Sequence, residues 1–218
     1  MSRPPARTAV RTLARVMMRL LTRTTVSGLD RLPAGGPLLL VFNHLGHFDS
    51  VLIIAKLPYN LDCIALSDLF DVPVTGPMLR LYGAIPVHRD VFDRTVIEQA
   101  LNVLNEKGFL ILAPEARQSL TGALEQARGG AAYLALKANV PILPIALTGT
   151  ENVNVYGLWK RLRRPVLTLT VGEAFHLPDL PLTGAQRKQS LAQASLMIMT
   201  RIAALLPPKY RGVYADAV

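Results

Sequence analysis

The chain has 218 residues, enough for one domain with a large core, and half of them are hydrophobic. Its formal net charge of +9 predicts an anionic partner, with nucleic acid, anionic lipid and a phosphorylated substrate as the candidates. No apolar run approaches the roughly 18 residues of a membrane-spanning helix, and the N-terminus, interrupted by arginines, does not resemble a secretory signal. We therefore expect no multi-span membrane protein, although the chain can still lie on a membrane.

The N-terminal segment carries an arginine at every fourth position. These are Arg3, Arg7, Arg11, Arg15, Arg19 and Arg23. Each step of four advances about 40° around a helix, so neighbouring arginines share a broad polar face. The pattern predicts a basic amphipathic helix that binds an anionic membrane surface, with a solvated face of a helix packed on the domain as the alternative. Nucleic acid is not an expected partner, because the segment lacks interleaved aromatic residues and a groove-reading motif.

Beyond a stretch rich in Gly and Pro, apolar runs alternate with helical patterns. The predicted strands are residues 37–42, 61–66, 84–89, 109–113, 141–147 and 166–172. The predicted helices are residues 92–106, 130–138 and 183–206, the last with a capping box of Thr183 and Gln186. This alternation predicts a single α/β domain whose mixed, partly parallel sheet is flanked by helices. We expect a membrane-associating helical segment at residues 1–30 and the domain proper at residues 31–218. The single cysteine, Cys63, lies in a predicted strand and is expected to be a buried apolar side chain.

Polar clusters follow four of the predicted strands. They occupy residues 43–49, 88–90, 114–119 and 148–151. In sheets of this kind the ligand site lies at the carboxyl ends of the strands, so the clusters are expected to converge on one rim.

The first cluster, FNHLGHFDS, admits three interpretations. If Gly46 lies in a turn between a strand and a helix, Asp49 can fold back onto His44, fix its tautomer and leave Nε2 free to take a proton. No G-x-S-x-G elbow supplies a nucleophile, so such a base would activate a substrate hydroxyl directly. Alternatively, His44, His47 and Asp49 ligate a metal, or they are ordinary polar residues at a strand end.

Three further side chains are candidates for binding an anion or a substrate. Arg89 ends a predicted strand just before a predicted helix, a position that suits either a phosphate site or a surface ion pair. Glu115 follows the apolar run ILAP, where it can bond substrate hydroxyls, hold an arginine, or be an ordinary loop carboxylate. Arg128 precedes two glycines and an apolar helix, which gives a second, weaker anion site.

Together, these clusters resemble the motifs of the glycerolipid acyltransferase family, in particular the bacterial 1-acyl-glycerol-3-phosphate acyltransferases. The family's first motif, N-H-x-x-x-x-D, is matched by Asn43, His44 and Asp49. The second is matched by GAIPVHR at residues 83–89, the third by PEARQS at 114–119, and the fourth by VPILPIALTGTE at 140–151. The resemblance covers residues 37–151 with the motifs in the family's order.

The resemblance implies transfer of a fatty acyl group from acyl-CoA or acyl-carrier protein to the hydroxyl of a lysophospholipid, with 1-acyl-glycerol-3-phosphate giving phosphatidic acid. His44 would be the general base and Asp49 its orienting partner. The residues expected to contact substrate are Asn43, Gly83, Arg89, Glu115, Arg117, Ser119 and Arg128. No metal or other cofactor is implied, since the acyl thioester is a co-substrate. The implied location is peripheral, at the cytoplasmic face of the membrane.

The third motif departs from the family's usual P-E-G-T-R-S. Ala116 replaces the glycine and Gln118 replaces the arginine, while Arg117 stands one position earlier. A shift of one residue changes where a guanidinium points, so the acceptor stays open, with a lyso-ornithine lipid as one alternative. From other classes, a metal-dependent hydrolase and a non-catalytic binder of anionic membranes also remain as hypotheses.

Overall fold

The computed structural model describes residues 4–88 and 94–218, so Arg89 and its predicted phosphate site lie outside the described residues. The helices are α1 (Pro4–Leu21), α2 (Asp49–Lys56), α3 (Thr75–Tyr82), α4 (Arg94–Asn105), α5 (Gly130–Ala138), α6 (Asn152–Trp159) and α7 (Arg187–Leu205). The strands are β1 (Arg23–Ser27), β2 (Leu38–Phe42), β3 (Leu61–Leu66), β4 (Ile85–Val87), β5 (Phe109–Leu112), β6 (Ile142–Thr148) and β7 (Val166–Val171).

The strands form one seven-stranded sheet in the order β1-β7-β6-β2-β5-β3-β4. The five strands from β6 to β4 in this order run parallel to each other, and β7 pairs antiparallel with β6. The α/β fold and the mixed, partly parallel sheet predicted from the alternation are therefore confirmed, and most of the strand pairs are parallel. Because β6, β2 and β5 are neighbours, the loops that follow them share one edge of the sheet.

Helices cover both faces of the sheet, and β2 shows why. All five of its residues are buried. With a side-chain period of two, Leu38, Leu40 and Phe42 face the core layer under α1 and α2, while Leu39 and Val41 face the layer under α4, α5 and α7. The predicted burial of Cys63 is confirmed, and desolvation raises the pKa of its thiol to about 12.

Most predicted elements are confirmed, but β1, α3 and α6 are not among them and one predicted helix cap is wrong. Strand β1 was missed because RTTVS is short and largely polar, yet it pairs in parallel with β7. The capping box is wrong: helix α7 begins at Arg187, Gln186 makes no side-chain capping bond, and Gly184 has a left-handed φ of 68° that a helix cannot include. The division of the chain at residue 30 stays a prediction.

The N-terminal helix is confirmed, but its arginines do not form one solvent-facing face: Arg15 and Arg19 are exposed, whereas Arg11 is half-buried. Arg7 is buried, where its guanidinium bonds the Tyr82 carbonyl at 2.9 Å and the Asp62 carboxylate at 2.5 Å. Arg11 and Arg15 donate to backbone carbonyls at the end of α2. Those carbonyls have no partner inside their own helix and carry the negative end of its dipole, so the cations stabilise α2.

The face that α1 turns to solvent also carries large apolar side chains. Leu13, Val16 and Leu20 are 55%, 49% and 65% exposed. They share one stripe of the helix because their spacings are three, four and seven residues. Within the described ranges, no helix combines the length and the apolar composition that crossing a membrane requires.

Candidate active site

His44 and Asp49 meet in the turn that joins β2 to α2. The His44 Nδ1 atom lies 2.7 Å from Asp49 Oδ2, and the same oxygen accepts the backbone N–H groups of Leu45 at 2.6 Å and Gly46 at 2.8 Å. Asp49 is the first residue of α2 and is completely buried. The turn predicted from the spacing of these residues is therefore confirmed.

Gly46 allows this turn to pack against the loop that follows β6. A Cβ atom at this position would lie 2.1 Å from the Thr150 carbonyl oxygen, closer than any real contact. Only glycine fits without a backbone shift. The turn is therefore held by the neighbouring loop as well as by its own hydrogen bonds.

The hydrogen bond to Asp49 fixes the proton of the imidazole. A carboxylate only accepts hydrogen bonds, so the neutral His44 ring carries its proton on Nδ1 and keeps a lone pair on Nε2. The His44 side chain is 24% exposed, and no described residue bonds its Nε2. This nitrogen is therefore available to accept a proton from a solvent molecule or from a bound substrate.

The third-motif loop holds the backbone of His44 from both sides. Glu115 Oε2 accepts the His44 N–H at 2.9 Å, and the Ser119 N–H donates to the His44 carbonyl at 2.7 Å. Glu115 Oε1 accepts the backbone N–H of Glu125 at 2.8 Å, so both carboxylate oxygens are bonded within the protein. The Ser119 hydroxyl donates to the Ala123 carbonyl at 2.6 Å. The loop therefore positions the histidine; substrate contacts by Glu115 and Ser119 stay predictions.

Burial makes Glu115 an unusual acid. Desolvation raises its pKa from 4.5 to about 7, and the two backbone donors and nearby His44 offset only part of that effect. A carboxyl group with this pKa changes protonation near neutral pH, directly beside the peptide group of the histidine.

The two departures in the third motif have clear structural consequences. Ala116 takes the place of the usual glycine in a left-handed conformation with φ of 56°, which favours glycine. Arg117 pairs with Glu125, its Nη2 lying 2.5 Å from Oε2. Gln118 stands in the usual arginine position and accepts a hydrogen bond from Asn152 Nδ2 at 2.9 Å. Substrate binding by Arg117 stays a prediction, and it would compete with this ion pair.

Asn43 extends the pairing of β2 with β6 by one more step. Its side-chain amide donates to the Leu147 carbonyl at 2.9 Å and accepts the Leu147 N–H at 2.7 Å. The residue is almost fully buried. Asn43 therefore fixes where the histidine turn leaves the sheet, and the substrate contact expected of it is untested.

Two residues that the sequence did not single out complete this edge. Asn152 Oδ1 accepts the His47 backbone N–H at 2.9 Å, and the Tyr156 hydroxyl lies 3.1 Å from His47 Nδ1. Both lie on α6, four residues apart and hence on one helical face. That spacing, immediately after the fourth motif, is the signal that could have identified them.

The C-terminal residues support the third-motif loop from outside. Leu124 donates its N–H to the Tyr210 carbonyl at 2.9 Å, and the Tyr214 hydroxyl accepts the Ala127 N–H at 3.1 Å. Tyr210 also donates to Glu151 of the fourth motif at 2.6 Å. No sequence pattern indicates this link, because it depends on how the chain folds back after α7.

The remaining candidates have other environments. Gly83 ends α3 with a left-handed φ of 79°, a reason for glycine that needs no substrate. Arg128 is exposed, and its backbone N–H donates to the Pro114 carbonyl at 2.8 Å.

His47, the third residue of the metal hypothesis, lies beside Tyr156 and not beside His44 and Asp49. Across residues 4–88 and 94–218, no three His, Cys, Asp or Glu side chains form a metal-ligand set. The metal hypothesis thus has two ligands at most from its proposed trio.

Three of the four predicted clusters, in the loops after β2, β5 and β6, thus converge on one edge around the partly exposed His44 imidazole. The fourth, at residues 88–90, lies mostly outside the described residues. A histidine–aspartate pair at the carboxyl ends of the strands of an α/β sheet is suited to general-base catalysis on a bound substrate. The model of the Acyltransferase family matches residues 23–148, more than half of the chain, and the chain belongs to that family.

Among curated relatives, the chain is 27% identical over 135 residues to the chloroplastic 1-acyl-sn-glycerol-3-phosphate acyltransferase BAT2 of Brassica napus, covering 60% of this chain and 39% of that protein. It is also 27% identical over 157 residues to the 1-acyl-sn-glycerol-3-phosphate acyltransferase of Chlamydomonas reinhardtii, covering 70% and 46%. The chain thus spans less than half the length of these relatives. The crystal structure of the 1-acyl-sn-glycerophosphate acyltransferase PlsC from Thermotoga maritima superposes with a TM-score of 0.66 at 19% identity, covering 91% of this chain and 79% of that one, and shares its fold.

Proposed function

We propose that the chain transfers a fatty acyl group from an acyl thioester to the free hydroxyl of a lysophospholipid, with 1-acyl-glycerol-3-phosphate as the acceptor and phosphatidic acid as the product. The observation that carries the proposal is the partly exposed His44, whose Nδ1 is held by the buried Asp49 and whose Nε2 is open. The names of the curated relatives, 1-acyl-sn-glycerol-3-phosphate acyltransferases, support the choice of acceptor.

The chemistry follows from this pair. Nε2 of His44 takes the proton of the acceptor hydroxyl as its oxygen attacks the carbonyl carbon of the thioester. Asp49 stabilises the imidazolium that forms. The tetrahedral intermediate then collapses, the C–S bond breaks, and the imidazolium returns the proton to the departing thiolate. An ester and a free thiol result, and the cycle calls on no cofactor other than the acyl-CoA or acyl-carrier protein donor.

The donor, the acceptor's headgroup contacts and the location also belong to the proposal. The net charge of +9 suits a phosphate-bearing acceptor and an anionic membrane at the cytoplasmic face. With Gln118 in the usual arginine position, the headgroup contacts depend on the other cations of this edge. A lyso-ornithine lipid is therefore the second acceptor to test.

The test is release of free thiol by the purified chain given acyl-CoA and lysophosphatidic acid, with and without EDTA. Acceptor-dependent release that resists EDTA and is lost in His44→Ala supports the proposal. His176→Ala is the matched control, because that histidine is exposed and lies outside the site. Equal turnover by the His44 and His176 variants would refute the base. Thiol release with acyl-carrier protein or lyso-ornithine lipid alone would reassign the substrate.

A further inference from the structure

Helix α6 ends in a strongly basic loop, defined here as residues 160–164 with the sequence KRLRR. All five residues of the basic loop are exposed, and none is acidic. Leu162, in its centre, is 97% exposed. The loop therefore presents one large apolar side chain between two pairs of cations.

The backbone conformation makes this leucine more unusual. The N–H of Leu162 donates to the Trp159 carbonyl and that of Arg163 to the Leu158 carbonyl, both at 2.9 Å, which is the bonding pattern of a Schellman helix end. Leu162 has a φ of 54°, in the place where such motifs favour glycine. A leucine here strains the backbone and gains almost no burial, so folding does not explain its presence.

The end of α1 lies beside the basic loop. Trp159 Nε1 donates to the Leu21 carbonyl at 2.9 Å, and Arg164 Nη2 donates to the Arg19 carbonyl at 2.6 Å. Leu20 and Leu21 are 65% and 42% exposed at this junction. We call the basic loop together with Leu20 and Leu21 the docking surface.

We propose that the docking surface binds an anionic lipid bilayer, with Leu162 inserted at the boundary of the acyl chains and the surrounding cations at the headgroups. Cations beside exposed leucines match the two attractions of a bilayer surface, negative charge and apolar depth. An acidic protein would satisfy the charges alone and would leave the strained leucine at the tip without a role. The inference rests on the proposed function, whose anionic membrane it assigns to one surface of the chain. Vesicle binding is measured without turnover, so failure of the docking surface and failure of the proposed acyl transfer are distinguishable.

The position of the docking surface links it to the candidate active site. Helix α6 has eight residues and is about 12 Å long. Its far end holds the His47 backbone through Asn152, while Phe48 of the histidine turn packs edge-on against Trp159 at 4.8 Å between ring centroids. A bilayer at the docking surface therefore lies within the length of a lipid from His44.

The test is co-sedimentation of the full chain with phosphatidylcholine vesicles that contain or lack phosphatidylglycerol. The triple variant Lys160→Gln, Arg161→Gln, Arg163→Gln should bind anionic vesicles about 100-fold more weakly, at about fivefold per cation. Leu162→Gly should weaken binding about tenfold while its melting temperature stays level or rises, because glycine relieves the left-handed strain. Opposite effects on binding and stability separate a lipid contact from a folding role.

The controls are changes on the other face of the sheet. They are the triple variant Lys107→Gln, Lys137→Gln, Lys188→Gln, which removes three exposed charges, and Leu196→Ser on α7. Both should bind as the unaltered chain does. Loss of binding in a control equal to that in the loop variants would overturn the proposal, as would equal binding to neutral and anionic vesicles.

Trp159, the single tryptophan of the chain, reports the orientation directly. Brominated lipids in anionic vesicles should quench its fluorescence, and Leu162→Gly should reduce the quenching. Vesicle binding without quenching would place another face on the lipid and refute the proposal. Failure to bind anionic vesicles at all would also refute the proposal. That outcome includes the case in which the basic loop binds only an acidic protein.

Discussion

Replacing Asp49 by Asn tests the proposed chemistry with the smallest change of shape. Asp49 Oδ2 accepts three N–H groups, so the Asn carbonyl oxygen must take that position. The amide NH₂ then falls where Oδ1 is buried, an atom that has no hydrogen-bond partner among the described residues. An unsatisfied buried donor costs about 1–3 kcal/mol, so the variant should fold with a modestly lower melting temperature.

The catalytic loss should be much larger than the stability loss implies. In the transition state His44 becomes positively charged beside the Asp49 carboxylate, and Asn removes that attraction. At a charge separation of about 4 Å and an effective dielectric of about 20, the attraction is about 4 kcal/mol. Asp49→Asn should thus lower kcat about 10³-fold.

The assay is acceptor-dependent thiol release, with urea unfolding of each variant to confirm folding. Asp179→Asn, an exposed aspartate outside the site, is the control and should keep full activity. A folded Asp49→Asn variant with more than about a tenth of the kcat would refute the electrostatic role of Asp49, since the loss would then be below 1.4 kcal/mol.

Three further predictions concern the loops around this pair. Ala116→Gly should raise the free energy of unfolding by about 0.5–1 kcal/mol in urea titrations, because glycine relieves the left-handed φ at some cost in chain entropy; a loss of stability would contradict this. Gly46→Ala should lower stability by about 1–3 kcal/mol and reduce thiol release, because the Cβ would collide with the Thr150 carbonyl; a fully active, stable variant would show that the turn can move. Burial raises the pKa of Glu115 from 4.5 to about 7, so the folded state binds a proton that the unfolded state has lost, and stability falls as pH rises from 4.5 to 7. Urea titrations at both pH values should show that the free energy of unfolding falls by about 3 kcal/mol less in Glu115→Gln than in the unaltered chain. An identical pH dependence of the two proteins would show that Glu115 is not the source of the fall.

The histidine–aspartate pair could be predicted from sequence because its geometry is local. Five residues separate His44 from Asp49, and the apolar run before them and Gly46 between them indicate a strand, a turn and a helix start. The hydrogen bonds that define the pair all lie inside this turn. The α/β class was equally accessible, because a buried parallel strand such as β2 is apolar on both faces.

The surroundings of the pair could not be predicted, because their partners are backbone groups of distant segments. Glu115 looks like a substrate ligand in sequence, yet it bonds a peptide N–H 71 residues away. Arg11 and Arg15 look like membrane ligands, yet they bond the end of α2. A residue pattern shows that a side chain is charged, but not which carbonyl or N–H the fold will place against it.

This difference changes where the anionic partners of the chain should be sought. The arginine spacing of α1 directed attention to its cations, but Arg7, Arg11 and Arg15 are engaged with the protein itself. The apolar stripe of the same helix and the cations of the basic loop face solvent, beside the exposed Arg15 and Arg19. A cation that caps a helix contributes to folding whatever the membrane composition, as Arg164 does at the end of α1. The side chains of Lys160, Arg161 and Arg163 bond no described residue, so they gain a partner only when an anion arrives. The basic loop is therefore the segment in which loss of charge should affect binding without loss of fold.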